Sequence, residues 1–590
     1  MAPLKLPKKG KGKQVHIDFA SLDSARASAP STWSADDWFD EGTRQEEQGE
    51  RYQAGPKATR HCNNAAVCYA LAALAHPLDF DSRYNGARVL QTLATEHFAP
   101  SECLAALDKA RSGYREALAV LDQQQSGGDS SATARIDALF NLAQADVALF
   151  DALEDAVTAV DGERERAVEA ASEAKRLFVE VERLQRDEMA RFFGAGGPGT
   201  AASEGGDGDD QVVDEDEAAV SGSGGGEGAE RSVRAMESTI VTPQLVIDTL
   251  LESLRFDLAL HDWTHTDSAA QVELRSSALA SFARATELRP AVQGDAADLD
   301  FELAFAKASM LTTLSPTEAA PFLDELARAH PSKVDLLSLG ADHLVESLPL
   351  APSPSSSPLP TLLATLSTAL AAYESAQSLL SNRLSPPRDI PAAHLPSLLS
   401  ANLVAQSSVH LVAAELLSRA PPRDAPAPAD AAQQAAAHLA QAHALALSAT
   451  TAARSGLSLA VSTSAPSPSS SAAKPALALA RAPASTEPRT DTRTVLAVRA
   501  ALFALSRVRV RLDSSGAGLR GERAQFWALW RALGLGAARG VEKGSEGERS
   551  VRERDARWWY DEVEGDKVME AMGDEAASVE RAYWQSLLEA

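Results

Sequence analysis

The sequence predicts an all-α fold, a solenoid of stacked helical hairpins in two parts joined by a disordered acidic linker. The first reason is a spacing, Ala-x3-aromatic/Leu-x2-Ala/Leu-x4-Pro. It occurs at Ala65/Tyr69/Ala72/Pro77, Ala278/Phe282/Ala285/Pro290 and Ala319/Leu323/Leu326/Pro331. It recurs with a polar stop at Ala110/Tyr114/Ala117/Asp122 and Ala369/Tyr373/Ala376/Ser381. Each match reads as a helix with a small residue where a neighbour comes close, a bulky one a turn later, and a Pro that ends the segment. Recurrence of the unit implies a stack. The second reason is composition: Ala and Leu dominate and only 5% of residues are aromatic, which favours helices over sheets. The third is punctuation, since Pro/Ser- and Gly-rich breaks separate segments of helical period. At 590 residues the chain exceeds the ~250–300 at which one core stops growing, so two or three cores are expected.

In chain order, residues 1–33 read as a disordered basic tail. Its first thirteen residues carry five lysines but no apolar stretch after them, so it is not a secretory signal. The run Lys5–Lys13 fits a nuclear localisation signal or a solvated tail. Residues 34–193 form a first helical module: Trp38, Gly42, Gly49 and Tyr52 on one helix, Ala65–Pro77 on the next, then helices begun at Asp79 and spanning Asp137–Asp151. Residues 194–240 are the acidic Gly-rich linker. Its stretch 194–230 holds ten acidic residues, no basic one and no aromatic, too little apolar surface to fold. Residues 241–449 form a second helical module, with helices over Gln244–Asp262, Ala392–Ala420 and Asp430–Ala449, and 450–489 read as a Pro/Ser/Ala-rich linker. Residues 490–590 are a C-terminal helical cap in which Val495–Leu512 carries Arg499, Arg507, Arg509 and Arg511. Five of the eight tryptophans lie there: Trp527, Trp530, Trp558, Trp559 and Trp584. They read as a closing layer for the stack or as an anchor for a partner.

The motifs resemble tetratricopeptide repeats. That family's first helix reads aromatic-Asn-Leu-Gly/Ala, as at Tyr84-Asn85-Gly86-Ala87 and Phe140-Asn141-Leu142-Ala143, and its second carries Ala, an aromatic, Ala and Pro at the spacings above. The 34-residue spacing also runs from Leu303, Ala306 and Met310 to Leu337, Gly340, Ala341 and Leu344. Between Gly49 and Ala65 lie four residues more than the family pattern has, about one helical turn. The resemblance implies an array that binds proteins through first-helix positions on a concave face. Those positions fall at Glu46 and Glu50, at Asp81, Tyr84, Asn85, Arg88 and Gln91, and at Asp137, Phe140 and Gln144. The family's carboxylate clamp needs Lys and Asn in the first unit and basic residues in the third. Only an Asn like Asn85 is present, and two glutamates would repel a carboxylate. A basic or mixed protein ligand is therefore expected; the alternative is that these acids are ordinary solvated helix residues.

A formal net charge of −26 repels nucleic acid phosphates and anionic membranes, so neither is expected as a direct partner. Three cysteines, Cys62, Cys68 and Cys103, form no paired framework and suit a reducing, cytoplasmic or nuclear setting. No cofactor, metal or catalytic residue is assigned. The run Gly194–Gly199 satisfies G-x-G-x-x-G but follows a helix and enters an acidic stretch. His261 and His265 have the i, i+4 spacing of metal ligands without a third His or Cys nearby, and His61, Cys62 and Cys68 lack a paired Cys-x2-Cys. No P-loop, H-E-x-x-H, nucleophile elbow or kinase signature occurs. The expected function is a non-catalytic binding scaffold, an escort or assembly chaperone for a basic client such as a ribosomal protein or histone. A structural subunit of a larger complex is the alternative, and an enzyme with dispersed site residues the third.

Overall fold

The computed structural model describes residues 17, 19, 21–52, 56–98, 100–124, 131–154, 162–194, 241–264, 268–292, 297–348, 359–382, 395–419, 428–459, 497, 500–508 and 585. Among them all regular structure is helical. After a short α1 (Leu22–Ser28) come seven successive hairpins: α2 (Ala35–Tyr52) with α3 (Pro56–Ala75), α4 (Phe80–Thr92) with α5 (Pro100–Gln124), α6 (Ser131–Glu154) with α7 (Glu163–Gly194), α8 (Pro243–Trp263) with α9 (Ser268–Leu288), α10 (Ala297–Leu314) with α11 (Pro316–Ala329), α12 (Val334–Glu346) with α13 (Leu359–Ser381), and α14 (Leu395–Arg419) with α15 (Pro428–Leu459). Each helix packs on its neighbours in sequence. First helices also touch across hairpins, α4 on α6, α8 on α10 and α10 on α12, so they share one layer. This is a helical-repeat solenoid.

Local chemistry fixes the helix ends. The Ser34 hydroxyl accepts from the Asp37 amide (3.2 Å) while the Asp37 carboxylate accepts from the Ser34 amide (2.8 Å), a reciprocal cap that starts α2. Asp79 caps α4 and Thr242 caps α8, the latter followed by Pro243 in the first turn. Pro77, Pro290 and Pro331 each fall two residues past the end of the helix that carries the repeated spacing. The spacing itself marks second helices: α3, α5, α9, α11 and α13. Glycines beside it admit close neighbours. A Cβ on Gly42 would lie 2.9 Å from the Tyr69 ring, one on Gly49 2.6 Å from Cys62 Sγ, and one on Gly113 2.9 Å from Ala87 Cβ.

The two parts expected on either side of the acidic stretch are in direct contact. One apolar core runs from Ala87 through Phe150 and Leu177 to Leu250 and Met310. Phe150 of α6 meets Phe256 and Trp263 of α8 edge-on at 5.7 and 5.3 Å. Between α7 and α8, Lys175 Nζ lies 3.3 Å from the buried Asp257 carboxylate, and Gln185 Nε2 donates to Thr249 Oγ1 at 3.0 Å. As 175 pairs with 257 and 185 with 249, the helices are antiparallel, and Gly194 and Val241 lie at the same end of the pair. The sequence is interrupted there and the stack is not.

Two boundaries need correction. Residues 1–33 are not wholly a disordered tail: Ser21 caps α1 and Ala25 is fully buried in a cluster with Trp38, Cys68, Leu71 and Ala72, joined by Ile17, Phe19 and Trp33. Burial of these apolar side chains outweighs the basic composition upstream. Residues 450–459 are not linker but the last turns of α15, because Ala449, Thr450 and Ala453 are buried and Thr450 Oγ1 donates to the Ala446 carbonyl at 2.8 Å. Residues 501–505 cover this end of the stack, where Ala501 packs with Leu403, Leu445 and Ala449, and Ala504 and Leu505 with Ala446. Arg507, in the segment read as an apolar helix, is 2% exposed with its guanidinium over the Phe503 ring. The helix α14 is long and apolar enough to cross a membrane, yet more than half of it is buried and it packs between α13 and α15. The lysines of the tail, the stretch 195–240 and the five C-terminal tryptophans lie outside the described residues.

Candidate protein-binding face

The layer of first helices carries the residues singled out above, and the tyrosines of the second helices reach into it. Tyr69 OH donates to Glu46 Oε2 at 2.9 Å, Tyr114 OH donates to Gln91 Oε1 at 2.8 Å, and Tyr373 OH donates to Asp342. A Tyr in place of Phe in the repeated spacing therefore marks where a hydroxyl emerges among first-helix polar groups. Sequence reading treated these tyrosines as packing residues alone. They do pack, but they also set the face.

Two clusters form. In the first, Glu46 is bound on both oxygens, by Tyr69 and by Arg88 Nη2 at 2.8 Å, and Arg88 also donates to Asn85 Oδ1 at 3.2 Å. Burial raises the Glu46 carboxyl above its usual range, and Arg88 and the Tyr69 hydroxyl oppose this. In the second, Asn141 Nδ2 donates to Tyr84 OH (2.8 Å) and to the Asp137 carbonyl (2.9 Å). Asn85 makes the equivalent bond to the Asp81 carbonyl at 2.9 Å, so the aromatic-Asn pairs at 84–85 and 140–141 share one local device. Burial, then the Asp137 charge, pushes the Tyr84 hydroxyl up to about 12.

Tyr84 is not a free groove side chain. It stacks on Phe80 (5.5 Å), meets Tyr114 edge-on (5.9 Å) and accepts from Asn141, tying α4 to α5 and α6. Phe140 is half-buried and lies edge-on to Phe178 of α7 at 6.1 Å. Phe282, read as core, is itself half-buried at the margin of the main core. Glu50 is exposed, and Asp81, Asp137 and Gln144 are half-buried. Asp137 stands apart electrostatically: burial alone raises its carboxyl, and no cation partners it among the described residues.

Sequence reading missed Asp146, a fully buried carboxylate on α6 lying 2.5 Å from Arg111 Nε of α5. Burial pushes it up to about 6 against the pull of Arg111 and Arg115. One of four acidic residues on α6, it gives no signal of its own until the neighbouring hairpin is in place. Cys62, Cys68 and Cys103 are buried, and the Cys62 thiol is pushed up to about 11, chiefly by burial, so it stays protonated. Among the described residues no three His, Cys, Asp or Glu side chains gather as metal ligands; His265 lies outside them.

No family model matches the sequence, and no curated protein matches it. A solved structure described as "Structure of Naa15/Naa10 bound to HypK-THB" aligns over 96% of this chain and 91% of that chain, at 10% identity and a TM-score of 0.16. A likeness that loose says nothing about shared function.

Proposed function

We propose that the chain is a non-catalytic, tetratricopeptide-like scaffold, cytoplasmic or nuclear, that escorts a basic client protein such as a ribosomal protein or histone. The observation that carries this reading is Asp137. A half-buried carboxylate with no cation partner among the described residues is costly to ionise, and a Lys or Arg of a bound client relieves that cost. Glu46, by contrast, already has Arg88 and offers little to a partner. Exposed Glu50 and half-buried Asp81 add negative potential along the same layer, while Arg88 tempers it.

The test is binding of purified core histones and ribosomal proteins to the intact chain, against the triple variant Glu50→Gln, Asp81→Asn, Asp137→Asn, with Glu46 left in place to protect its internal network. Affinity should fall roughly tenfold or more in the variant, and wild-type binding should weaken steeply with salt. Because a cationic client needs Asp137 ionised, and its carboxyl sits above 3.8 in the free protein, binding should weaken as pH falls through that raised range. Unchanged, salt-resistant binding to the variant would move the reading to a fixed subunit of a larger complex.

A further inference from the structure

The last hairpin carries a contact that the scaffold reading does not use. His410 of α14 and His438 of α15 face each other with Nδ1 atoms 2.8 Å apart and ring centroids 5.1 Å apart, so the nitrogens meet head to head between the rings. It stands in a seam lined on α15 mostly by small side chains. One turn earlier on α14, Ser407 Oγ donates to the Ala442 carbonyl at 3.0 Å, and Gln406 donates to Asn402 and Gln377. We propose that the His410–His438 contact is a pH-operated latch that holds α14 to α15 while at least one ring is neutral and releases when both are protonated.

The chemistry follows from the donors. With both rings neutral, one Nδ1–H donates into the other's lone pair, and with one proton added the N–H···N bond persists. With two added, N–H faces N–H at hydrogen-bond distance, without an acceptor and with two like charges. Among the described residues, the other charged and titratable side chains on the elements packed there are Tyr373 and Glu374 of α13, Glu415 of α14, Asp430 and His443 of α15, and Arg507. Burial comes first for His410 with the His438 charge second, taking it down to about 4, and burial alone lowers His438. Neither recorded cause holds a proton on the pair.

Both folded values lie below the ordinary 6.5, so the folded hairpin binds fewer protons than the unfolded one. Its full stability is present above about 6.5 and is lost progressively as pH falls toward about 4.

The experiment is hydrogen exchange on the full chain, corrected for intrinsic exchange, between about pH 7.5 and about pH 4.5. Protection of α14 and α15 relative to α4–α7 should drop roughly tenfold or more on acidification. His410→Gln and His438→Gln, made separately, should each flatten that drop while leaving α4–α7 as in the wild type. An unchanged wild-type ratio would overturn the latch. So would the same drop in either variant that folds at neutral pH.

Discussion

In the second hairpin, Tyr114 of α5 is buried among Ala87, Ala110 and Leu107, and the backbone at Gly113 lies close enough to Ala87 that even a methyl group would clash. In the seventh, α15 presents Ala442, Ala446, Ala449 and Ala453, all fully buried, and apart from the His438 ring that faces His410 its buried side chains among the described residues are alanine, leucine and threonine. There the helices come close enough for serine hydroxyls to reach the opposite backbone, Ser400 Oγ to the Ala449 carbonyl (3.1 Å) and Ser407 Oγ to the Ala442 carbonyl (3.0 Å). One hairpin packs a ring into a gap made by small residues, and the other packs an alanine-rich helix against serine and leucine side chains. Both give an antiparallel pair. The difference teaches that a repeat can keep its geometry while losing the spacing by which it is recognised.

The largest effect should come from the ring. Tyr114→Ala removes a fully buried aromatic and orphans Gln91 Oε1, and should cost about 3–5 kcal/mol, read as a fall in the urea midpoint. Tyr84→Ala should also cost stability, since Tyr84 joins three helices. If Tyr114→Ala is mild, the second hairpin is not organised by its ring and the contrast fails. In the seventh hairpin the sensitive change runs the other way. Ala446→Leu should cost about 1–3 kcal/mol by overfilling the seam between α14 and residues 504–505. A neutral result would mean the helices are further apart than the serine bonds indicate.

The same contrast explains what could be read from the sequence. The all-α class and the hairpin order were legible because composition and period survive degeneration. Second helices α3, α5, α9, α11 and α13 carry the spacing. Two do not. In α7 the run Ala174/Phe178/Val181 puts Val where the spacing calls for Ala or Leu, and in α15 the run Ala435/Leu439/Ala442 reaches Leu447 where the stop should be. The candidate face was half legible. Local motifs put Asn85 and Asn141 on first helices, but pairings between hairpins, Glu46 with Arg88 and Asp146 with Arg111, depend on separations of more than thirty residues that no local period encodes. The α1 segment was hidden for a related reason: a basic neighbour set the composition, while Ala25 and Trp33 had partners only in α2 and α3.

The smallest effect sharpens the contrast most. Ser407 is fully buried, and its hydroxyl answers a carbonyl on the facing helix instead of its own. Ser407→Ala removes that bond while leaving the Ala442 carbonyl with its place in α15, so the loss should be about 0.5–1.5 kcal/mol. Ser448, whose hydroxyl turns back to Ala444 of its own exposed helix face, is the internal control, and Ser448→Ala should lie within about 0.5 kcal/mol of wild type. Chemical denaturation of the two variants side by side measures the difference. Because an alanine-rich seam has few atoms per contact, each interhelical hydroxyl is a larger share of what holds it than any single hydrogen bond is in the ring-filled hairpin. If the two serine variants prove equal, the seventh hairpin is held by apolar contact alone and differs from the second only in the size of the side chains it buries.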